Sequence, residues 1–283
     1  TDIDILNFAL FTERLSSAVL IDGLTRFTDE IFENAGLPPF VRGRLEQMAQ
    51  HDLIHINFLE AAISDAGGKP VPACDYKLSY LDPRSFMDVL SIVKSVSVST
   101  YDGSMAFLAH KQLTTLVSSI LGVEARHAAW MASAAQKDNP WSTAFETPLT
   151  RRHAFSLFLP YVNFPDNNPI RLDAFPPLTF LSAPVPGERV QFDTSHIHAT
   201  EGDAQQLLRE NHISMAFLTG EGIQYAPVRM SENPHIFEVT IPKNLVGIVY
   251  AIVTNSNKKL SDGTTIAGPA LLNFRFNSNR MFE

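Results

Sequence analysis

Apolar residues recur at spacings of three and four through most of residues 3–136, the period of helices that each bury one stripe. The first stripe runs through Leu6, Leu10, Glu13, Ser17, Leu20 and Leu24. It predicts one helix over 3–35, with Asp2 or Asp4 at its start. Gly36-Leu-Pro-Pro stops it and opens a second helix over 39–66, striped by Leu45, Met48, Asp52, His55, Leu59 and Ala62. Gly67-Gly68-Lys-Pro-Val-Pro ends that helix. A third starts near Pro83, with Leu90, Lys94, Ser97, Tyr101, Met105 and Leu108 on its stripe. A fourth covers 112–136 through Leu113, Leu116, Ile120, Glu124, His127, Met131 and Ala134. The short link between the last two implies antiparallel neighbours.

The pattern changes after about 138. Residues 139–177 are rich in proline and read as an ordered connector, with one short helix near 149–158. Seven short runs with strand chemistry follow: Thr179–Val185, Glu188–Phe192, His212–Thr219, Ile223–Met230, Ile236–Ile241, Gly247–Thr254 and Ala270–Phe276. Their number and punctuation predict a small antiparallel β-sandwich. The expected class is α+β: an antiparallel four-helix bundle over 1–138, the connector, and the sandwich over 178–283.

The helical stripes are interrupted at one depth. Asp52-Leu53-Ile54-His55 and Glu124-Ala125-Arg126-His127 each place a carboxylate and an imidazole one turn apart on one face. Glu13 sits at the matching depth of the first helix. Such polarity is costly inside a bundle unless it is paired or ligates metal, and two such pairs are what a carboxylate-bridged two-metal site requires. Oxygen and imidazole donors together suit iron, manganese or zinc. The competing reading is that each residue is an ordinary polar group at the surface.

Composition narrows the function. The chain has 283 residues and a formal net charge of −8. Residues 1–176 carry 14 Lys and Arg against 20 Asp and Glu, and the remainder 8 against 10. Neither part offers a basic face, so no nucleic-acid partner is expected. No apolar run is long enough for a transmembrane helix. The single cysteine, Cys74, excludes an intrachain disulfide. No Gly-rich phosphate loop, nucleophile elbow or zinc-finger spacing occurs. The chain opens at Thr1 without Met or leader, as a processed or trimmed chain would. His196-Ile-His198 is a strand-spaced pair read as incidental. His51 is expected to face away from His55, towards solvent.

Several segments resemble the ferritin-like family that includes fungal stress-response and late-sexual-development proteins and plant desiccation-related proteins. They are Leu6-Asn7-Phe8-Ala9-Leu10 with Glu13, Asp52-x-x-His55-Ile-Asn-Phe-Leu59, and Tyr101-Asp-Gly103. Ile120-Leu-Gly-Val-Glu124-Ala-Arg-His127-Ala-Ala is the most specific match, and Ile266-Ala-Gly-Pro-Ala270 lies near the end. The resemblance implies a ferritin-like bundle with the β-rich extension of the fungal members, and a role in stress, desiccation or sexual development.

The chain departs from that family's pattern of four carboxylates and two histidines. Asp52 stands where the pattern has Glu. The third-helix carboxylate falls near Lys94, and a protonated lysine cannot ligate. Lys94 is expected either to pair with Glu13 or Glu124 or to reach out to solvent. Asp102 and Tyr101 are outer contributors, with Asp102 expected off the stripe. The ligand set is therefore Glu13, Asp52, His55, Glu124 and His127, holding one Fe, Mn or Zn ion or none. The favoured function is a non-enzymatic, secreted scaffold with a degenerate metal site and a structural or protective role. Its β domain would let copies assemble outside the cell or at its surface. The alternative is a metal-dependent oxidoreductase or iron-handling protein.

Overall fold

A computed structural model describes residues 1–164, 169–195, 197, 213–233 and 235–279. The chain forms two compact units: Thr1–Pro140 with Phe158–Leu172, and Trp141–Leu157 with Asp173–Glu283. The stretch expected as a connector is thus divided between them.

Unit one is built on α1 (Asp2–Arg26), α2 (Asp29–Asn34), α3 (Phe40–Asp65), α4 (Pro83–Met105) and α5 (Lys111–Trp130). The single helix expected over 3–35 is two. Phe27 turns extended at the end of α1, and the Thr28 hydroxyl accepts from the Ile31 amide to start α2 afresh. Asp82 caps α4 through the Ser85 amide, with Pro83 in the first turn. A wider π turn, Met131–Ala135, continues α5.

The four long helices pack as α1 on α3 and α4, and α4 on α5. Bonds at their ends fix the directions. Arg42 at the start of α3 donates to the carbonyls of Leu24 and Phe27 at the end of α1. Asp2 at the start of α1 accepts from the amides of Ala109 and His110, just past α4. Phe40 meets Trp130 edge to face, joining the start of α3 to the end of α5. Each helix therefore runs antiparallel to these neighbours, while α3 and α4 run the same way. Residues 66–82 must then travel the length of the bundle, the single long crossover of ferritin-like topology. Asn7 holds that crossover at Lys69 and Val71, and Tyr80 reaches the Val19 carbonyl. Its strand β1 (Asp75–Tyr76) pairs with β2 (Val162–Asn163). This ladder and the Phe11 contacts with Phe158 and Phe164 draw 158–172 into the helical unit.

At one level a ring of α4 fills a gap in α1. A Cβ on Gly23 would lie 2.2 Å from the Phe86 ring, so the bare glycine makes room for that ring against α1. Below this apolar plug, with Phe86, Phe27, Phe32 and Tyr80 clustered together, the interior turns polar.

Unit two contains α6 (Arg151–Phe158, whose last residue is counted with unit one) and, among the described residues, seven strands. These are β3 (Thr179–Phe180), β4 (Arg189–Asp193), β5 (Ser214–Thr219), β6 (Gly222–Met230), β7 (Ile236–Thr240), β8 (Gly247–Thr254) and β9 (Thr265–Phe274). All seven fall on predicted runs. All pairings are antiparallel, in the order β3-β4-β7-β6-β5-β8-β9. Strand β6 changes partner along its length: Gly222–Pro227 pair with β5, and Val228–Met230 pair with β7. The expected sandwich is thus two ladders sharing one strand. Their core joins Val190, Phe192, Phe237 and Val239 to Met215, Phe217, Val249 and Val253. The segment 141–157 belongs here through Ser142 to the Ile248 amide, Thr150 to Asp262 and His153 to Thr265. Among the described residues no helix is long and apolar enough to cross a membrane. His196 and His198 lie outside the described residues.

Candidate metal centre

The polar interruptions of the four stripes meet midway along the bundle, as helical spacing requires. Glu13, Asp52, Lys94, Tyr101 and Glu124 are almost completely shielded from solvent, and His127 nearly so. Metal-ligating atoms of Glu13, Asp52, His55 and Glu124 lie within 4.8 Å of one another, a grouping able to hold a metal ion.

Lys94 divides the cluster. Its Nζ donates to Asp52 Oδ1 and to Glu124 Oε2, each at 2.7 Å. Of the two expected internal partners the structure therefore selects Glu124 and adds Asp52 in place of Glu13. The Ser16 hydroxyl donates to Asp52 Oδ2 at 2.7 Å, so both oxygens of Asp52 are engaged. Asp52 sits with the ligand candidates, but here it answers the lysine.

The other side is arranged differently. Tyr101 donates to Glu13 Oε1 at 2.6 Å, a bond and not simple packing. His55 Nδ1 lies 3.3 Å from Glu13 Oε2 and 3.5 Å from Glu124 Oε1. His127 Nδ1 lies 3.4 Å from Glu124 Oε1. Both Glu124 Oε1 and His127 Nδ1 are buried without a hydrogen-bond partner. Asp102 stays outside the cluster: it is partly exposed, and burial alone pushes its carboxyl upwards.

His51 is exposed, as expected, but it does not face away from the centre. Its Nδ1 is 3.1 Å from His127 Nε2, on the edge of the same centre. One residue from Asp52 is a rotation of about 100°, which suggested another face. Four residues from His55 is nearly a full turn, and that relation decides where His51 points. Cys74 is not among the grouped residues, and burial pushes its thiol up.

The electrostatics follow from burial and pairing. Burial and the Glu124 charge push Glu13 up to about 7. Burial would depress His55, but the Glu124 and Glu13 carboxylates beside its Nδ1 outweigh that and raise it to about 10. Burial opposes the charge on Lys94 too, yet Asp52 and Glu124 hold it protonated. Burial opposes ionisation of Glu124, but Lys94 and the two imidazoles keep its carboxyl well below the usual range. Without metal, the His55 proton is the second cation of the cluster.

A pH dependence follows for the metal-free protein. The folded chain keeps the His55 proton that an unfolded histidine releases near 6.5. This stabilisation is complete below 6.5 and lost as pH rises through about 10. Glu13 acts in the same direction between 4.5 and about 7, because the folded carboxyl stays protonated there. Stability should fall from pH 7 to 9 by up to about 1.4 kcal/mol per unit for one proton. Urea midpoints across that range check this, and His55→Gln should flatten the slope.

Three contacts within the donor set have the spacing of ligands to one ion. In a four-coordinate site with bonds of about 2.1 Å, neighbouring donor atoms lie about 3.4 Å apart. The spacings given above, 3.3 Å for His55 to Glu13, 3.4 Å for His127 to Glu124 and 3.5 Å for His55 to Glu124, bracket that value. Charge agrees: three carboxylates and one ammonium leave −2, which one divalent cation cancels once His55 is neutral. Two divalent ions would leave a buried excess of positive charge next to Lys94.

Residues 1–137 match the model of the ferritin-like domain. Over 186 residues, 65% of this chain, the sequence is 28% identical to Protein rds1 of Schizosaccharomyces pombe. That match covers 45% of the yeast protein, so the chain spans less than half of this relative's length. The match falls on the same helices whose single crossover brings acids and imidazoles to one depth, so over residues 1–137 the chain is similar to the ferritin-like domain.

Proposed function

We propose that the protein is a ferritin-like scaffold with a reduced, single-cation centre, serving a structural or protective role in stress or development rather than two-metal oxygen chemistry. The observation that carries this is Lys94, fully buried between Asp52 and Glu124. Its ammonium is a fixed positive charge where a second ion would otherwise balance the carboxylates. Glu13, His55, Glu124 and His127 would hold the one ion, of iron, manganese or zinc. When bound, that ion supplies Lewis acidity and, if it is iron or manganese, redox capacity. Tyr101 keeps Glu13 turned inwards, Lys94 fixes Glu124, and cation binding releases the proton held at His55 Nδ1.

Action outside the cell, and assembly of copies through the β unit, belong to the same proposal. The assembly part is supported by β9, a ten-residue strand at the end of the described sheet. A protein that sediments as a monomer at all concentrations would remove the assembly role; retention inside the producing cell would remove the secreted one.

Metal analysis of the purified protein loaded with ferrous iron, manganese or zinc tests the centre. One ion per chain is expected, lost in the His55→Ala, His127→Ala double variant. Two irons per chain, or unchanged metal content in the double variant, would overturn the reading. The buried Tyr101–Glu13 bond, a protic group against a ligating carboxylate, favours a second reading as a metal-dependent oxidoreductase or iron-handling protein. Oxygen- or peroxide-dependent turnover that vanishes in the same double variant would establish it.

A further inference from the structure

The single-cation reading leaves the contact between His51 and His127 unused. Their ring planes are 8° apart with centroids separated by 5.2 Å. His51 Nδ1 is 3.1 Å from His127 Nε2, within hydrogen-bond distance, so one ring donates to the other. Which ring donates determines what His127 shows to the interior.

If His51 donates, a neutral His127 must carry its own proton on Nδ1. That N–H would be a buried donor that makes no bond to Glu124 Oε1, although the oxygen is 3.4 Å away. If His127 donates, its Nδ1 keeps a lone pair beside the equally unpartnered Glu124 Oε1. Two buried acceptors side by side suit a cation, and without one the bond from Nε2 to His51 must outweigh their repulsion. The second arrangement gives both unpartnered atoms a purpose; the first satisfies neither. His51 lies exposed on α3, so its far nitrogen stays hydrated either way.

We propose that His51 is a positioning residue of the centre: it accepts the Nε2 proton of His127 and so fixes the tautomer whose Nδ1 faces Glu124 as a ligand. This rests on the single-cation reading and adds to it a residue that reaches the ion only through another ring. The role needs an acceptor at the position of Nδ1 and not a ring as such. Asparagine places an oxygen there; phenylalanine keeps the ring shape and has no acceptor.

The test compares wild type with His51→Asn and His51→Phe by zinc titration and by ¹⁵N NMR of the imidazoles. His51→Phe should weaken zinc binding about 10–100-fold, while His51→Asn stays within about threefold. In the metal-free wild type, NMR should place the His127 proton on Nε2 and show its bond to His51 Nδ1. A proton on Nδ1, equal weakening by both variants, or full zinc affinity in His51→Phe would overturn the assignment. Should wild type bind no zinc, iron or manganese, the single-cation reading fails, and the NMR measurement alone decides the role of His51.

Discussion

Replacing Lys94 with methionine is expected to destabilise the metal-free protein by about 3–5 kcal/mol, because it removes one partner of a buried ion pair and leaves the others uncompensated. The side chain is fully buried and holds one oxygen each of Asp52 and Glu124. Methionine is of similar length and volume, so the loss reports charge and hydrogen bonding, with little cavity cost. Urea denaturation at pH 7 measures it. Adding Asp52→Asn to Lys94→Met should restore part of the loss, since it withdraws one of the stranded charges. A cost below about 1 kcal/mol for Lys94→Met would mean that the carboxylates do not depend on the ammonium, and the ledger of −2 would be wrong.

Lys94→Glu should have the opposite consequence for metal. The variant carries four carboxylates and two imidazoles at the centre, a charge of −4 that two divalent ions would cancel. Without ions, four buried acids crowd one another, and the bundle should unfold or keep several of them protonated. With ferrous iron, manganese or zinc, the metal-to-chain ratio should rise from one to two, and thermal stability should become metal-dependent through linkage. Elemental analysis with thermal melts in the presence and absence of chelator reads both effects. A ratio that stays at one would show that Lys94 does not occupy the place of a second ion.

Much of the centre was legible because helical spacing is a local rule. Asp52 with His55, and Glu124 with His127, share faces by arithmetic alone, and Lys94 appears on its stripe at the same depth. The partner of Lys94 was not legible, because two carboxylates on different helices were within reach and only packing chooses between them. His51 was legible in principle and was missed by counting from Asp52 rather than from His55. The break after Arg26 carried its own signal, Thr28 followed by Asp29 and Glu30, which the apolar stripe overshadowed. The parallel course of α3 and α4 leaves no mark in periodicity; only the length of the 66–82 link hints at it. The division of 139–177 depends on β2, two residues long, and on single side-chain bonds to distant strands. All seven β runs were found because alternation and turn residues are also local. Strand β9 begins five residues before its predicted start, since Pro269 masked the pattern; an end strand tolerates the missing donor.

The partner change within β6 has a mechanical meaning for the β unit. One unbroken backbone serves as a rail for both ladders, so there is no seam along which β3, β4 and β7 could swing away from β5, β8 and β9. Any opening must bend β6 where its partner changes, between Pro227 and Val228, and expose a core that both ladders line. The seven strands therefore melt together or stay together, as one cooperative body.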